Sequence, residues 1–346
     1  MRLQKNVSLA LYTTLKVGGP ARFFCEVTRE EEILEAVRLA KEKKLPIFVL
    51  GGGSNILVSD KGFDGVVIRL RNSQLVIRNL DIICHGGCQL SKAVSESVKA
   101  GLTGLEWAAG IPGTVGGAIR GNAGAFGSSM MEIVHSVKAI KIPNFSKARL
   151  FPSDKQVVGI PQSQALKSQL QITNYKLQNC KFSYRDSIFK QNPNFIIISA
   201  VLRLEKGKKE ESEKRVKEII KQRKEAQPFD FPSSGSFFKN PLLRPATRDF
   251  GGQAQAKYKK LIKEFETDTG KKLKDGKIPA GYLIERAGLK GKKIGGAMVS
   301  EKHANFIVNT GNATAENVVM LAAIVKTRVR NKFGIQLREE VQMVGF

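Results

Sequence analysis

Arg185 stands in Tyr184-Arg185-Asp186-Ser187, a polar cluster able to grip an anion. A guanidinium stays charged at physiological pH and can hold a carboxylate through two parallel hydrogen bonds. The same cluster would also serve as an ordinary surface strand end. Ser236 stands in Pro232-Ser233-Ser234-Gly235-Ser236-Phe237-Phe238-Lys239-Asn240-Pro241. A hydrolase serine would need the second glycine of a G-x-S-x-G elbow and a histidine base. That glycine is missing and the chain has only 3 histidines, so the hydrolase reading fails. A serine beside glycine and proline is also a normal β-turn residue. Glu339-Glu340 offers two carboxylates, although an acidic pair so near the C-terminus is ordinarily solvated. Cys84, His85 and Cys88 lack a fourth ligand at zinc-like spacing, so no metal site is expected.

Two glycine-rich stretches could seat a large ligand. Gly104 to Gly127 is dense in glycine and alanine and nearly free of charge and of large apolar side chains. Such a run opens left-handed backbone and lets another body approach the main chain closely. Pro112 fixes a turn inside it. Alternatively it is a glycine-rich surface loop. The second stretch, Gly51-Gly52-Gly53-Ser54-Asn55-Ile56-Leu57, leaves the end of a predicted strand at Pro46-Ile47-Phe48-Val49. Its successive N–H groups can form a concave anion site, with Ser54 and Asn55 adding side-chain donors. Neither stretch is a G-x-G-x-x-G or G-x-x-x-x-G-K-[ST] fingerprint. Together they suit a ligand with a diphosphate and a long extended body.

Gly51–Leu57 followed by Gly110-Ile111-Pro112-Gly113-Thr114-Val115-Gly116-Gly117 resembles the flavin-binding domain of the UDP-N-acetylenolpyruvoylglucosamine reductases, enzymes of bacterial cell-wall synthesis. Thr14-Leu15-Lys16-Val17-Gly18-Gly19-Pro20-Ala21 is similar to the family's opening segment. Gly235-Ser236-Phe237-Phe238-Lys239-Asn240-Pro241 is similar to its Gly-Ser-x-Phe-Lys-Asn-Pro signature. Gly281–Gly291 and Ile294–Asn309 look like its substrate domain. The resemblance implies an α+β protein with a two-lobed FAD-binding domain of the vanillyl-alcohol-oxidase (PCMH) type and a smaller α/β substrate-binding domain. It implies noncovalent FAD on Gly51, Gly52, Gly53, Ser54, Asn55 and Ile56, and on Gly110, Ile111, Pro112, Gly113, Thr114, Gly116, Gly117 and Ile119. NADPH is the implied hydride donor. The implied reaction reduces UDP-N-acetyl-3-O-(1-carboxyvinyl)glucosamine to UDP-N-acetylmuramate, a peptidoglycan precursor.

In that resemblance Arg185 holds the substrate carboxylate and stabilises its enolate form, and Ser236 donates the proton. Glu340, directly before Val341, assists protonation or stabilises the enol. Tyr184, Lys239, Asn240 and Arg286 are expected to contact substrate, and His303 is read as structural. The chain departs from the family pattern at Gln342, where relatives usually carry Arg, and at Glu339, where they carry Pro. It lacks the tyrosine-bearing loop of one subclass, which implies the other.

These groups need elements to position them. We expect the FAD-binding domain over 1–204, with lobes of about 1–70 and 71–204 and a loop insert at 143–176. The substrate-binding domain is expected over 205–333 with an insert at 242–277, and residues 334–346 as a terminal strand returning Glu340 to the active site. Ile33, Ala36, Val37 and Ala40 have the spacing of one helix face, behind acidic first-turn residues. Glu205–Glu225 has few apolar positions and reads as a solvent-exposed linker helix. Thr314–Phe333 is the clearest helix, capped by Thr314 and stopped by Gly334.

The formal net charge is +26, while aromatics make up 7% and there is 1 tryptophan. Stacking platforms for nucleic acid are therefore scarce, and the field suits an anionic cofactor and an anionic nucleotide sugar. No apolar run approaches a membrane span and no signal peptide opens the chain, so a cytoplasmic protein with no membrane insertion is expected. The 4 cysteines suggest no disulfide framework. A monomer that binds no nucleic acid is expected. The rival readings are a flavin oxidase of the same wider fold with another substrate, and a basic nucleic-acid-binding protein on a degenerate scaffold.

Overall fold

The computed structural model describes residues 1–142, 171–243 and 252–346, so parts of the two expected inserts, 143–170 and 244–251, lie outside the described residues. The chain forms two compact units. The first comprises Met1–Ser8, Pro20–Gly53 and Gly62–Glu225; the second comprises Leu9–Gly19, Ser54–Lys61 and Ala226–Phe346.

In the first unit a four-stranded sheet runs, in spatial order, Arg2–Ser8, Pro20–Val27, Phe63–Leu70 and Ile47–Leu50. The first pair is antiparallel and the others are parallel. The helix Glu30–Glu42 joins two of its strands and buries Ile33, Ala36, Val37 and Ala40, the stripe expected from the sequence. A five-stranded antiparallel sheet runs Gln171–Lys176, Val134–Lys141, Phe195–Arg203, Asp81–His85 and Leu75–Arg78. Its central strand is covered on both faces. Ile196 and Ile198 join a core with Val37, Val66 and Ile68, whereas Ile197, Ala200 and Leu202 join a core with Leu90, Val115 and Ile219. Double burial is why Phe195–Leu202 reads as a continuous apolar run instead of an alternating one.

Gln171–Lys176, the end of the segment expected as an elongated hairpin or loop, forms an edge strand antiparallel to Val134–Lys141, and its Tyr175 ring packs edge-on against Phe189 and Phe195, at 5.5 Å between centroids in both cases. One expectation needs correction here. The helix Lys209–Ala226 is no exposed linker, since its first 17 residues belong to the first unit and one face is packed. Ser212 and Arg223 are buried, Ile219 is 1% exposed, and Val216 packs on the same core. These four positions follow helical spacing, and the polarity of the rest of the segment hides them.

The second unit holds a four-stranded antiparallel sheet in the order Ser233–Ser236, Phe306–Asn309, Ala297–Val299, Lys293–Ile294. The helix Ala315–Phe333 buries Val318, Leu321, Ala322, Val325 and Val329. Thr314 caps it by accepting from Asn317 N–H, and Asp60 accepts the free N–H groups of Ala315 and Glu316 at 2.8 and 3.0 Å. Gly334, at φ 73°, ends it. Residues 54–61 cluster here because Ile56–Val58 pairs in parallel with Gln342–Val344. Only that three-residue piece of the expected terminal strand is paired as strand.

Candidate functional site

In the first unit the two glycine stretches lie backbone to backbone. A Cβ on Gly52 would come within 2.6 Å of Gly113 Cα, and one on Gly51 within 2.7 Å of Thr114 Oγ1. Leu90 N–H donates to Gly113 O, Val115 N–H to Cys88 O and Gly116 N–H to Gly86 O, which locks Gly113–Gly116 onto the turn at Gly86–Leu90. Gly110, Pro112 and Gly117 remain exposed, and Gly51, Gly52, Ile111 and Gly113 are half-buried. A Cβ at Gly117 would touch only Thr114 Oγ1, at 3.5 Å. The result is a main-chain wall with few side chains standing out from it.

Not every residue expected on the cofactor presents a surface. Ile119 is fully buried, Ile56 is 9% exposed, and both spend their side chains on packing. Thr114 is 3% exposed and its hydroxyl accepts from Gly117 N–H at 3.2 Å, as the cap of Val115–Arg120. Gly53 and Gly116 are also buried. In the second unit, Ser54 and Asn55 are half-buried, and Asn55 Nδ2 donates to Glu340 O at 3.3 Å.

Tyr184 and Arg185 form the tip of a two-residue turn closed by reciprocal hydrogen bonds of 3.1 Å between Ser183 and Asp186. Arg185 takes φ +56°, a left-handed conformation normally given to glycine or asparagine at that turn position. It costs a residue with a side chain about 1–2 kcal/mol. Ser187, buried, holds the turn down by donating to Arg120 O at 2.7 Å. The Arg185 guanidinium donates to Gly124 O at 2.8 Å and reaches Asn122 O at 3.5 Å. An arginine kept where the backbone favours glycine points to a use for its side chain.

In the second unit Gly235, at φ +75°, interrupts the pairing register between Ser233 and Ser236, and nothing lies within 4 Å of where its Cβ would be. Just beyond that irregularity Ser236 stands half-buried, paired opposite Phe306. The next residue is fixed from both sides: Phe237 N–H donates to Asn305 O at 2.7 Å, and Glu340 N–H donates to Phe237 O at 2.8 Å. Ser236 and Glu340 are thereby brought to one corner. Lys239 N–H donates to Arg338 O at 2.9 Å, continuing the match. Glu339 is taken by Lys326, whose Nζ lies 2.8 Å from its Oε1.

Asn240 Oδ1 accepts the Ala280 N–H at 3.0 Å, at the start of the helix Ala280–Arg286. Arg286, expected on substrate, is exposed and forms ion pairs with Glu264 at 3.1 Å and Asp268 at 3.7 Å. Those partners lie on the helix Gly252–Thr269 of the 242–277 insert, so the described contacts of this arginine are structural.

Two buried polar residues escaped the sequence reading. Asn305, 4% exposed, bonds Phe238 on both sides, accepting from its N–H at 3.0 Å and donating to its carbonyl at 2.8 Å. His303 Nδ1 accepts the Asn305 N–H at 3.2 Å; its ring packs on Phe306, and burial lowers its pKa. Arg223 is the other. The stripe Ser212, Val216, Ile219, Arg223 was the available signal for it.

A model of the UDP-N-acetylenolpyruvoylglucosamine reductase C-terminal domain matches residues 227–344, and one of an FAD binding domain matches residues 21–144. The UDP-N-acetylenolpyruvoylglucosamine reductase of Caldanaerobacter subterraneus subsp. tengcongensis is 36% identical over 345 residues, covering 99% of this chain and 94% of that protein. The reductase of Solibacter usitatus is 34% identical, covering 100% and 97%. The crystal structure of UDP-N-acetylenolpyruvylglucosamine reductase from Thermus caldophilus matches with a TM-score of 0.70 at 31% identity, over 99% of both chains. Similarity of this extent, over both units, means that the chain belongs to the UDP-N-acetylenolpyruvoylglucosamine reductase family.

Proposed function

We infer that this chain reduces UDP-N-acetyl-3-O-(1-carboxyvinyl)glucosamine to UDP-N-acetylmuramate, with noncovalent FAD as cofactor and NADPH as hydride donor. The observation that carries the reading is the corner of the second unit where Ser236 and Glu340, far apart in sequence, are joined through Phe237. The first unit fits FAD in two ways: its glycine wall leaves the main chain approachable, and two buried donors beside it, Arg223 Nε and Trp107 Nε1, have no acceptor among the described residues. Bound FAD supplies the redox chemistry, passing reducing equivalents from NADPH to the enolpyruvyl double bond.

The chain's own residues do the rest. Arg185 holds the substrate carboxylate with its guanidinium and opposes the negative charge that develops beside it. Ser236 Oγ delivers the proton that completes the reduction; a hydroxyl is acid enough for so basic a carbon. Glu340 assists that transfer or stabilises the enol form. Tyr184, Lys239 and Asn240 orient the sugar nucleotide, Lys239 by charge toward its diphosphate. We read the protein as a cytoplasmic monomer that binds no nucleic acid. No helix among the described residues is long and apolar enough to cross a membrane.

A visible spectrum of the purified protein, followed by NADPH and then the enolpyruvyl sugar, tests the reading. A flavin band should bleach with NADPH and return with the sugar. A protein that cannot be loaded with FAD, or whose bleached flavin ignores the sugar, overturns it.

A further inference from the structure

Arg223 is a buried cation without a counter-ion among the described residues. It is 7% exposed, and Nη2 donates to Trp107 O at 3.3 Å. Its Nε is buried with no acceptor, and no carboxylate among the described residues pairs with it. Burial lowers its pKa, with no opposing charge. Such a group costs several kcal/mol in a dry interior unless something anionic completes it. The place where it sits says what that is. Its stem lies against Gly110, Cδ 3.0 Å from where a Cβ would stand, at φ +75° in the exposed part of the glycine wall. Its guanidinium carbon lies 5.1 Å from the centre of the Phe126 ring. Trp107, 6% exposed, also buries its Nε1 with no acceptor. Two buried donors with no acceptor among the described residues therefore lie at the stretch Glu106–Gly110, Trp107 within it and Arg223 against its end.

The neighbouring acid does not serve Arg223. Glu106 accepts from Thr103 Oγ1 and Gly104 N–H, both at 2.8 Å, and from Ser212 on the same helix. Burial alone would raise its pKa, but those donors outweigh burial and leave it lowered. Ser212–Glu106 thus clamps the helix onto the turn, and Arg223 is left without a paired carboxylate among the described residues.

We propose that Arg223 is a cofactor-binding residue, the counter-cation for an anionic group of the FAD seated along Gly110–Gly117. This rests on the FAD reading above. Two parts of FAD share the chemistry: the diphosphate, which is always charged, and the isoalloxazine, which gains negative charge on reduction.

The test uses the full chain stripped of FAD, as wild type, Arg223→Met and Arg223→Lys. Methionine fills the stem's space and removes a buried charge, so the apoprotein should melt close to wild type. Against that background, Arg223→Met should bind at least one oxidation state of FAD at least tenfold more weakly, and lysine should restore much of the loss. If the partner is the diphosphate, oxidised FAD and the competitor ADP weaken together. If it is the isoalloxazine, oxidised FAD and ADP stay within twofold while the reduced form weakens tenfold, lowering the midpoint potential by about 30 mV. Arg223→Met apoprotein that loses its fold marks a structural arginine and overturns the proposal. So does a folded variant that binds ADP and both FAD states within twofold. Wild-type apoprotein that takes up no FAD would sink the cofactor reading itself, which is a separate result.

Discussion

Ser236 is assigned a role only after the reducing equivalents reach the sugar, so Ser236→Ala should divide the catalytic cycle. Bleaching of the flavin by NADPH should run near the wild-type rate. Its return with the enolpyruvyl sugar should slow about 10²–10⁴-fold, the range for a lost general acid. Stopped-flow absorbance separates the two phases, and a variant slow in the NADPH phase but normal in the second removes the proton-donor role. Arg185→Ala should weaken sugar binding as well as turnover, because a carboxylate loses its charged partner. Its stability should change little: alanine keeps the strain of φ +56°. These residues were legible as candidates because each stands inside a contiguous motif that resembles the family's. Arg223 and Asn305 were not. Arg223 bonds to a residue 116 positions away, and Asn305 to one 67 away. No local pattern marks a polar residue whose partner is that remote.

The glycine wall was legible as an element, but for a partly mistaken reason. Gly116 looked like a residue cleared for cofactor, yet a Cβ there would stand 2.8 Å from Gly86 O, so the first body it makes room for is the protein's own backbone. Gly116→Val should therefore cost fold stability and cannot report on FAD. Gly117→Ala is the cleaner probe. Its new methyl meets nothing closer than 3.5 Å within the protein, so the apoprotein should melt as wild type while FAD affinity falls about tenfold or more. Unchanged FAD affinity would falsify the placement of cofactor along this exposed face. The helix Glu30–Glu42 offers a test of another kind. Glu32 accepts from Thr28 N–H at 2.7 Å, Thr28 Oγ1 at 3.1 Å and Arg29 N–H at 3.2 Å, and these donors, Thr28 N–H first, hold its pKa down at about 2. An unfolded glutamate titrates near about 4.3. The depressed pKa means that its contribution is fully present above the unfolded value and is lost as pH falls toward about 2. Glu32→Gln should lower the urea midpoint at pH 7, and the deficit should shrink below about pH 5. A deficit that is constant across that window would mean the charge does not matter. Ile56–Val58 poses the same difficulty of distance: it pairs with Gln342–Val344, at the far end of the chain.

The whole chain carries a formal charge of +26, far more than folding needs. Most ion pairs that hold its surface together are exposed, such as Arg22–Asp64 and Arg203–Asp81, and pairs of that kind contribute little net stability. The excess is better understood through the ligands, since FAD, NADPH and the UDP sugar are all anions. A field of one sign speeds the arrival of opposite charge by about 10–10³-fold, and salt screens it over about 8 Å at 0.15 M. Arrival appears in kcat/KM, whereas events after binding appear in kcat. Raising NaCl from 20 to 500 mM, on the order of a fivefold fall in Debye length, should thus lower kcat/KM for the UDP sugar at least several-fold and leave kcat at saturation nearly unchanged. A chloride that merely competed for the diphosphate subsite would raise KM for one ligand alone; a long-range field slows both NADPH and the sugar. The same charge must attract duplex DNA to some extent, but contacts made only to phosphate weaken steeply with salt. Retention on DNA should therefore be gone near 150 mM NaCl. A kcat/KM indifferent to salt would leave the charge without a part in substrate capture, and tight sequence-selective DNA binding at physiological salt would assign it to a different partner altogether.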